Sequence, residues 1–149
     1  MRVRASTIIQ QGERILFLKY HYGGEDVYNL PGGNPDPGES LPYCVKRELQ
    51  EELGIDIEVL QLAVVAQGVA QRSKGIESVL HMVFEGQIRS GTLQINPEET
   101  SALDAVWLSY DELENAVLYP AINQQLIALC KSSFQNCPLY IERFDQRWL

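Results

Sequence analysis

Residues 33–55, GNPDPGESLPYCVKRELQEELGI, constrain this chain more than any other stretch. A loop rich in glycine and proline leads into a helical pattern that stops at Gly54. Ser40 is a natural cap for that helix, Pro42 suits its first turn, and Gly54 suits its end. Leu41, Val45, Leu49 and Leu53 recur every four residues, so one face of the helix must be buried. Glu48, Glu51 and Glu52 fall three and four residues apart, which stacks them on a neighbouring face. At about 100° per residue, Glu48 and Glu52 lie at the edge of the apolar stripe and Glu51 further out. Like charges placed this way repel, so the arrangement calls for a positive group among them. A hard divalent cation fits that need.

The rest of the chain reads as strands with a few helices. Val3–Gln10 and Arg14–Tyr20 flank a Gln-Gly-Glu turn and predict a hairpin. Val27–Leu30 is a short strand. Ile55–Ala70 predicts one strand or two, Glu77–Ile88 another, and Thr92–Ile95 a short one. An acidic loop, Asn96–Ser101, precedes a strand at Ala105–Leu108. Ser109 caps a helix over Asp111–Val117, and Pro120 opens a helix over Ala121–Ser133. A last strand falls near Leu139–Glu142. Strands and helices mixed in this order predict an α/β fold, a mixed sheet sandwiched between helices. At 149 residues the chain suits a single domain, 1–149.

Charge narrows the partners. The net charge is −8, which disfavours binding to a nucleic acid polymer, since neutralising phosphates takes Lys and Arg. A phosphorylated small molecule would need metal ions as a bridge. No apolar run reaches the length of a membrane span, and the N-terminus does not read as a signal peptide. The three cysteines, Cys44, Cys130 and Cys137, lack metal-ligand spacing and are odd in number. Reduced thiols in a cytoplasmic protein account for them.

The stretch resembles the signature of the Nudix hydrolases, G-x5-E-x7-R-E-U-x-E-E-x-G-U with U a bulky aliphatic. The matching residues are Gly33, Glu39, Arg47, Glu48, Leu49, Glu51, Glu52, Gly54 and Ile55. The chance of such a match is on the order of 10⁻⁹ to 10⁻¹⁰ per window from average residue usage, so accident does not explain it. Leu30-Pro31-Gly32-Gly33 upstream, and Val106-Trp107-Leu108 with Asp111-Glu112-Leu113 downstream, also resemble the family. Tyr28 and Asp36 depart mildly from it, standing where many members have tryptophan and glutamate.

The resemblance implies an α/β/α sandwich and an enzyme that hydrolyses a nucleoside diphosphate linked to another group, by attack of water on phosphorus. It implies Mg²⁺, or Mn²⁺ in its place, held by Glu48, Glu51, Glu52 and the carbonyl of Gly32. Glu39 and Arg47 would support loop and helix, and Arg47 could also orient Glu51. The general base would be Glu48 or an acid of the later loop, with Glu99 the candidate and Glu98 and Asp104 behind it. Around Tyr119–Ile127 the chain resembles the segment with which MutT-type triphosphatases hold a purine. There Asn123 would bond the base edge and Tyr119 would stack on the ring. The alternative is that Asn123 supports the first turn of its helix and Tyr119 is partly buried.

Arg4, Lys19 and His21 lie where a cleft mouth would be, as phosphate contacts or as ordinary surface groups. His81, in an apolar strand, reads as packing. The sequence signatures of ADP-ribose, dinucleoside-polyphosphate, NADH- and coenzyme-A-directed members are not visible. A nucleoside di- or triphosphate is the first substrate class, with ADP-ribose or a nucleotide sugar as the alternative. A catalytically silent nucleotide-binding sensor is a reading of another class, and the intact glutamates speak against it. An isoprenoid diphosphate isomerase would carry a degraded signature, and mRNA decapping would call for a basic run. Homodimers are common in the family, so a homodimer is an open partner.

Overall fold

The computed structural model describes residues 1–146, apart from the side chain of Arg72. The end of the tail, residues 147–149, lies outside the described part. The strands are β1 (Arg2–Gln11), β2 (Arg14–Tyr22), β3 (Glu25–Asn29), β4 (Gly32–Gly33), β5 (Ile55–Gly68), β6 (Val79–Gly91), β7 (Asp104–Ser109), β8 (Val117–Tyr119) and β9 (Leu139–Phe144). The helices are α1 (Leu41–Leu53), α2 (Tyr110–Asn115) and α3 (Asn123–Lys131). The main strand order is β8-β3-β2-β1-β6-β5-β9, with β4 beside β1 and β7 beside β2.

The expected hairpin forms, but its two strands pair only at the turn. Gln10 faces Ile15 and Gln11 faces Arg14, and beyond that β1 and β2 part. β1 instead runs parallel to β6 from Arg2↔Val79 to Ile9↔Gly86. β3 takes β2's outer half, from Leu18↔Asn29 to Tyr22↔Glu25. The short β4 takes β1's free edge, with Ala5↔Gly33 and Ser6↔Gly32. A wedge therefore opens between the strands, with Arg4 on one arm and Tyr20 on the other.

Two apolar cores fix the layers. On one face, Val45, Leu49 and Leu53 of α1 pack with Ala5, Ile9, Leu16, Leu18, Ile55 and Ile57. On the other, Leu113, Leu126, Ile127 and Leu129 from α2 and α3 pack with Ile8, Phe17, Val64 and Val83. Helices thus cover both sides of a mixed sheet, as the sequence predicts. Among the described residues no helix is long and apolar enough to cross a membrane.

Three expectations change. Thr92–Ile95 is irregular, because the amide of Gln94 donates to the carbonyl of Leu53 and that of Asn96 to the carbonyl of Glu52. Its hydrogen bonds go to the end of α1 rather than to a neighbouring strand. The helix expected through Val117 stops at Asn115, since Val117–Tyr119 joins β3 as a parallel strand. The helix expected from Ala121 begins at Asn123, and the amide of Ala121 donates to the Gln146 side chain instead.

Leu49 is 1% exposed at the centre of the α1 face. Leu49→Ala should cost about 2–5 kcal/mol, whereas Tyr43→Ala, at 61% exposure on the same helix, should stay within about 0.5 kcal/mol. Urea denaturation checks both, and similar losses at the two positions would contradict this packing.

Candidate active site

Local chemistry sets α1 in place. The Ser40 hydroxyl accepts from the amide of Tyr43 at its start, and Gly54 closes it in the left-handed conformation at φ 67°. Gly33 is needed for close approach. A Cβ built there would lie 2.5 Å from the Glu48 carboxylate, so a larger residue would push that carboxylate aside. Gly32 is equally crowded, against the backbone of Ala5 and Ser6.

Arg47 organises the acids. Its Nε donates to Glu39 Oε2 at 2.6 Å and its Nη2 to Glu39 Oε1 at 2.9 Å, a two-pronged bond between helix and loop. Its Nη1 donates to Glu48 Oε1 at 3.2 Å and to Glu51 Oε2 at 3.1 Å. Asp36 Oδ2 stands 3.6 Å from Nη2. Bonds from Arg47 hold the Glu39 carboxyl down at about 2, and the amide of Asp36 adds to them. The same carboxylates raise the Arg47 guanidinium above its ordinary value.

Glu52 has the opposite environment. Burial raises its pKa, and a hydrogen bond with Glu48 and that carboxylate's negative charge raise it further. This is the electrostatic cost of gathering the acids. The donors are hard oxygens, the class that Mg²⁺ or Mn²⁺ prefers. Among the described residues no three His, Cys, Asp or Glu side chains stand ready as a metal-binding group. Arg47 draws Glu48 and Glu51 to a single nitrogen, so these two would have to leave Nη1 to complete a ligand set with Glu52. The donor chemistry fits a divalent ion.

The later loop leans on the same helix end, through the Asn96 amide on the Glu52 carbonyl at 2.9 Å. Glu98 and Glu99 are exposed on that loop, and Asp104 is exposed at the start of β7. Tyr20 was missed in the sequence. Its hydroxyl lies 3.4 Å from Thr100 Oγ1, and burial, with the Glu52 charge behind it, raises its pKa. An aromatic residue on a partly buried strand gives no sign of this from sequence.

The remaining candidates divide. Asn123 Nδ2 donates to the carbonyls of Leu113 at 2.7 Å and Ala116 at 2.9 Å. Both amide hydrogens join α3 to the end of α2, which leaves Oδ1 as the atom for a base edge. Tyr119 is half-buried, its ring edge-on to His81 at 4.9 Å. His81 is 1% exposed, and the expectation of packing stands. Lys19 and His21 both pair with Asp26, at 3.7 and 2.9 Å, rather than reaching the wedge. Arg4 is not an ordinary surface group. Its Nη2 donates to the Leu30 carbonyl at 2.8 Å, and its guanidinium stands 5.4 Å from the centre of the Tyr119 ring.

The family model described as NUDIX domain matches residues 1–130. The NAD-capped RNA hydrolase NudC of Stutzerimonas stutzeri (strain A1501) is 29% identical over 122 residues, covering 82% of this chain and 41% of that protein. The chain thus spans about two-fifths of the length of the first curated relatives it matches. The crystal structure of a MutT NUDIX hydrolase from Burkholderia pseudomallei superposes with a TM-score of 0.69 at 25% identity, covering 85% of this chain and 95% of that one. A UDP-X diphosphatase structure gives a TM-score of 0.71 at 21% identity, covering 95% of this chain and 66% of that one, and shares the fold.

Glu39 makes the site's stability pH-dependent. Its folded pKa, about 2, lies below its ordinary value of 4.5. Its contribution is therefore full above about 4.5 and is lost as pH falls through about 2. Urea midpoints of the wild type should exceed those of Glu39→Gln at pH 7, and the gap should close between about pH 4.5 and 2. A gap constant across that window would refute the pairing.

Proposed function

The chain belongs to the NUDIX family, and from that premise we propose that it is a divalent-metal-dependent pyrophosphohydrolase acting on a nucleoside diphosphate derivative. We read residues 1–149 as one such domain, working in the cytoplasm. The observation that carries the reading is the acid face of α1, braced by Arg47 against the glycine loop. A silent sensor would have no use for three carboxylates crowded at the cost that Glu52 bears.

Glu48, Glu51, Glu52 and the Gly32 carbonyl would hold Mg²⁺, which when bound neutralises charge on phosphoryl oxygens and acidifies water. The protein's own groups do the rest. Arg47 and Glu39 keep helix and loop in fixed relation. Tyr20 and Thr100 wall the site beside Glu52 and limit water there. Glu48 or Glu99 takes the proton from the attacking water. Glu48 is 15% exposed and adjoins the loop, whereas Glu99 hangs from a loop hydrogen-bonded to Glu52.

A nucleoside di- or triphosphate remains the first substrate class, with Oδ1 of Asn123 as the atom left for a base contact. The curated relative NudC acts, by its name, on NAD-capped RNA, which brings the dinucleotide class level with ADP-ribose and nucleotide sugars as alternatives. The charge of −8 favours a small nucleotide over a polymer.

Hydrolysis should be screened with Mg²⁺ across nucleoside triphosphates, ADP-ribose, nucleotide sugars and NADH. Glu51→Gln and Glu52→Gln should each lower kcat by orders of magnitude while leaving the urea midpoint near that of the wild type. Normal turnover in either variant would sink the metal assignment. Glu99→Gln should lower kcat by about 10²–10⁴ if Glu99 is the base. A fall of only a few-fold would assign that role to Glu48.

A further inference from the structure

Arg4 stands on the β1 arm of the wedge, half-buried. One nitrogen is spent on the Leu30 carbonyl, and Nε is buried without a hydrogen-bond partner. Among the described residues Arg4 makes no ion pair. Arg4 adjoins the register positions Ala5↔Gly33 and Ser6↔Gly32, which bring the glycine loop, and with it the Glu48 carboxylate, to β1. Withdrawing a guanidinium from water without a counter-charge is unfavourable. In a chain of net charge −8 an internal carboxylate would have been an easy partner. The guanidinium is matched to a planar pair of acceptor oxygens such as a phosphate offers.

The surroundings of Arg4 are built rather than incidental. The Tyr119 ring lies under the guanidinium, and the segment after β9 brackets Tyr119. Gln146, 7% exposed, straddles that residue: its Nε2 donates to the Leu118 carbonyl at 2.9 Å, and its Oε1 accepts from the Ala121 amide at 3.0 Å. His81, the ladder partner of Arg4, fills the space between the Tyr119 ring and the Phe144 ring, 5.6 Å away. Burial, with Arg4 and Arg2 adding to it, holds the imidazole down at about 3. It is neutral and leaves the positive charge to Arg4. β9 and Gln146 lie beyond the residues that the family model matches.

We propose that Arg4 binds a phosphate of the nucleotide substrate, and that Gln146 is a positioning residue that holds Tyr119 and, through its ring, Arg4. This rests on the nucleotide-hydrolase reading above, and it adds the group that receives the substrate's charge opposite the acids.

Binding of ADP and of adenosine, measured by calorimetry with Ca²⁺ present to neutralise the acid face, tests it without turnover. Arg4→Met should weaken ADP binding about tenfold or more and leave adenosine unchanged. Arg4→Lys keeps the charge but loses the fork, and should fall between wild type and Arg4→Met; it also serves if Arg4→Met does not fold. Gln146→Ala should weaken ADP several-fold in the wild-type background and add nothing in the Arg4→Met background, because coupled residues are not additive. Unchanged ADP affinity in both Arg4 variants would overturn the phosphate contact, as would no ADP binding by the wild type. Additive losses would overturn the positioning role. A wild type that binds ADP through Arg4 but hydrolyses nothing would instead overturn the hydrolase reading alone.

Discussion

One guanidinium meets four carboxylates. Arg47 reaches Asp36, Glu39, Glu48 and Glu51 from the middle of α1, and this contact lets the acid face exist in a folded chain. Its two-pronged bond to Glu39 fastens helix to loop with geometry as well as charge. With the loop fastened, Gly33 can rest against Glu48. The acid left outside this neutralisation is Glu52, whose pKa burial raises first and the neighbouring Glu48 raises further. Glu39 thereby serves as the brace, Glu48 and Glu51 share the arginine's Nη1, and Glu52 makes no bond to it.

The sheet gives this helix something to face. β1 and β2 touch only at their turn, so the chain leaves a wedge where a regular hairpin would have closed it. β3 and β4 occupy the strand edges that the splay exposes, and the two-residue β4 carries the glycine loop directly into the wedge. Two separate cores hold the layers, so α1 is anchored independently of α2 and α3. The acid face is presented by a rigid element, and the groups opposite it come from strand ends and from the C-terminal segment.

The parts legible in sequence are local. Ser40, Gly54 and the Leu49 stripe declare α1 through capping and periodicity, and the Glu39–Arg47 pair follows from fixed offsets in a known pattern. What sequence hid is long-range. β8 is three residues long and forms only because β3 lies beside it. Thr92–Ile95 has strand-like composition, but the amides of Gln94 and Asn96 bond to the end of α1 instead. Asn123 sits at a helix start, where a base contact and a structural bond look alike until Leu113 and Ala116 come into reach. Arg4 and Gln146 are 142 positions apart, and no local pattern joins them. Lys19 and His21 lose their place at the wedge to Asp26, a partner supplied by strand pairing.

The central claim is that the face of α1 is half of a metal site whose other half is a divalent ion. Manganese binding followed by electron paramagnetic resonance reads it directly, with no substrate required. The account predicts that the wild type immobilises Mn²⁺, that Mg²⁺ displaces it, and that Glu52→Gln weakens binding at least about tenfold, since loss of an anionic oxygen donor removes both charge and a ligand. Equal Mn²⁺ affinity in wild type and Glu52→Gln, with both chains folded, would contradict it.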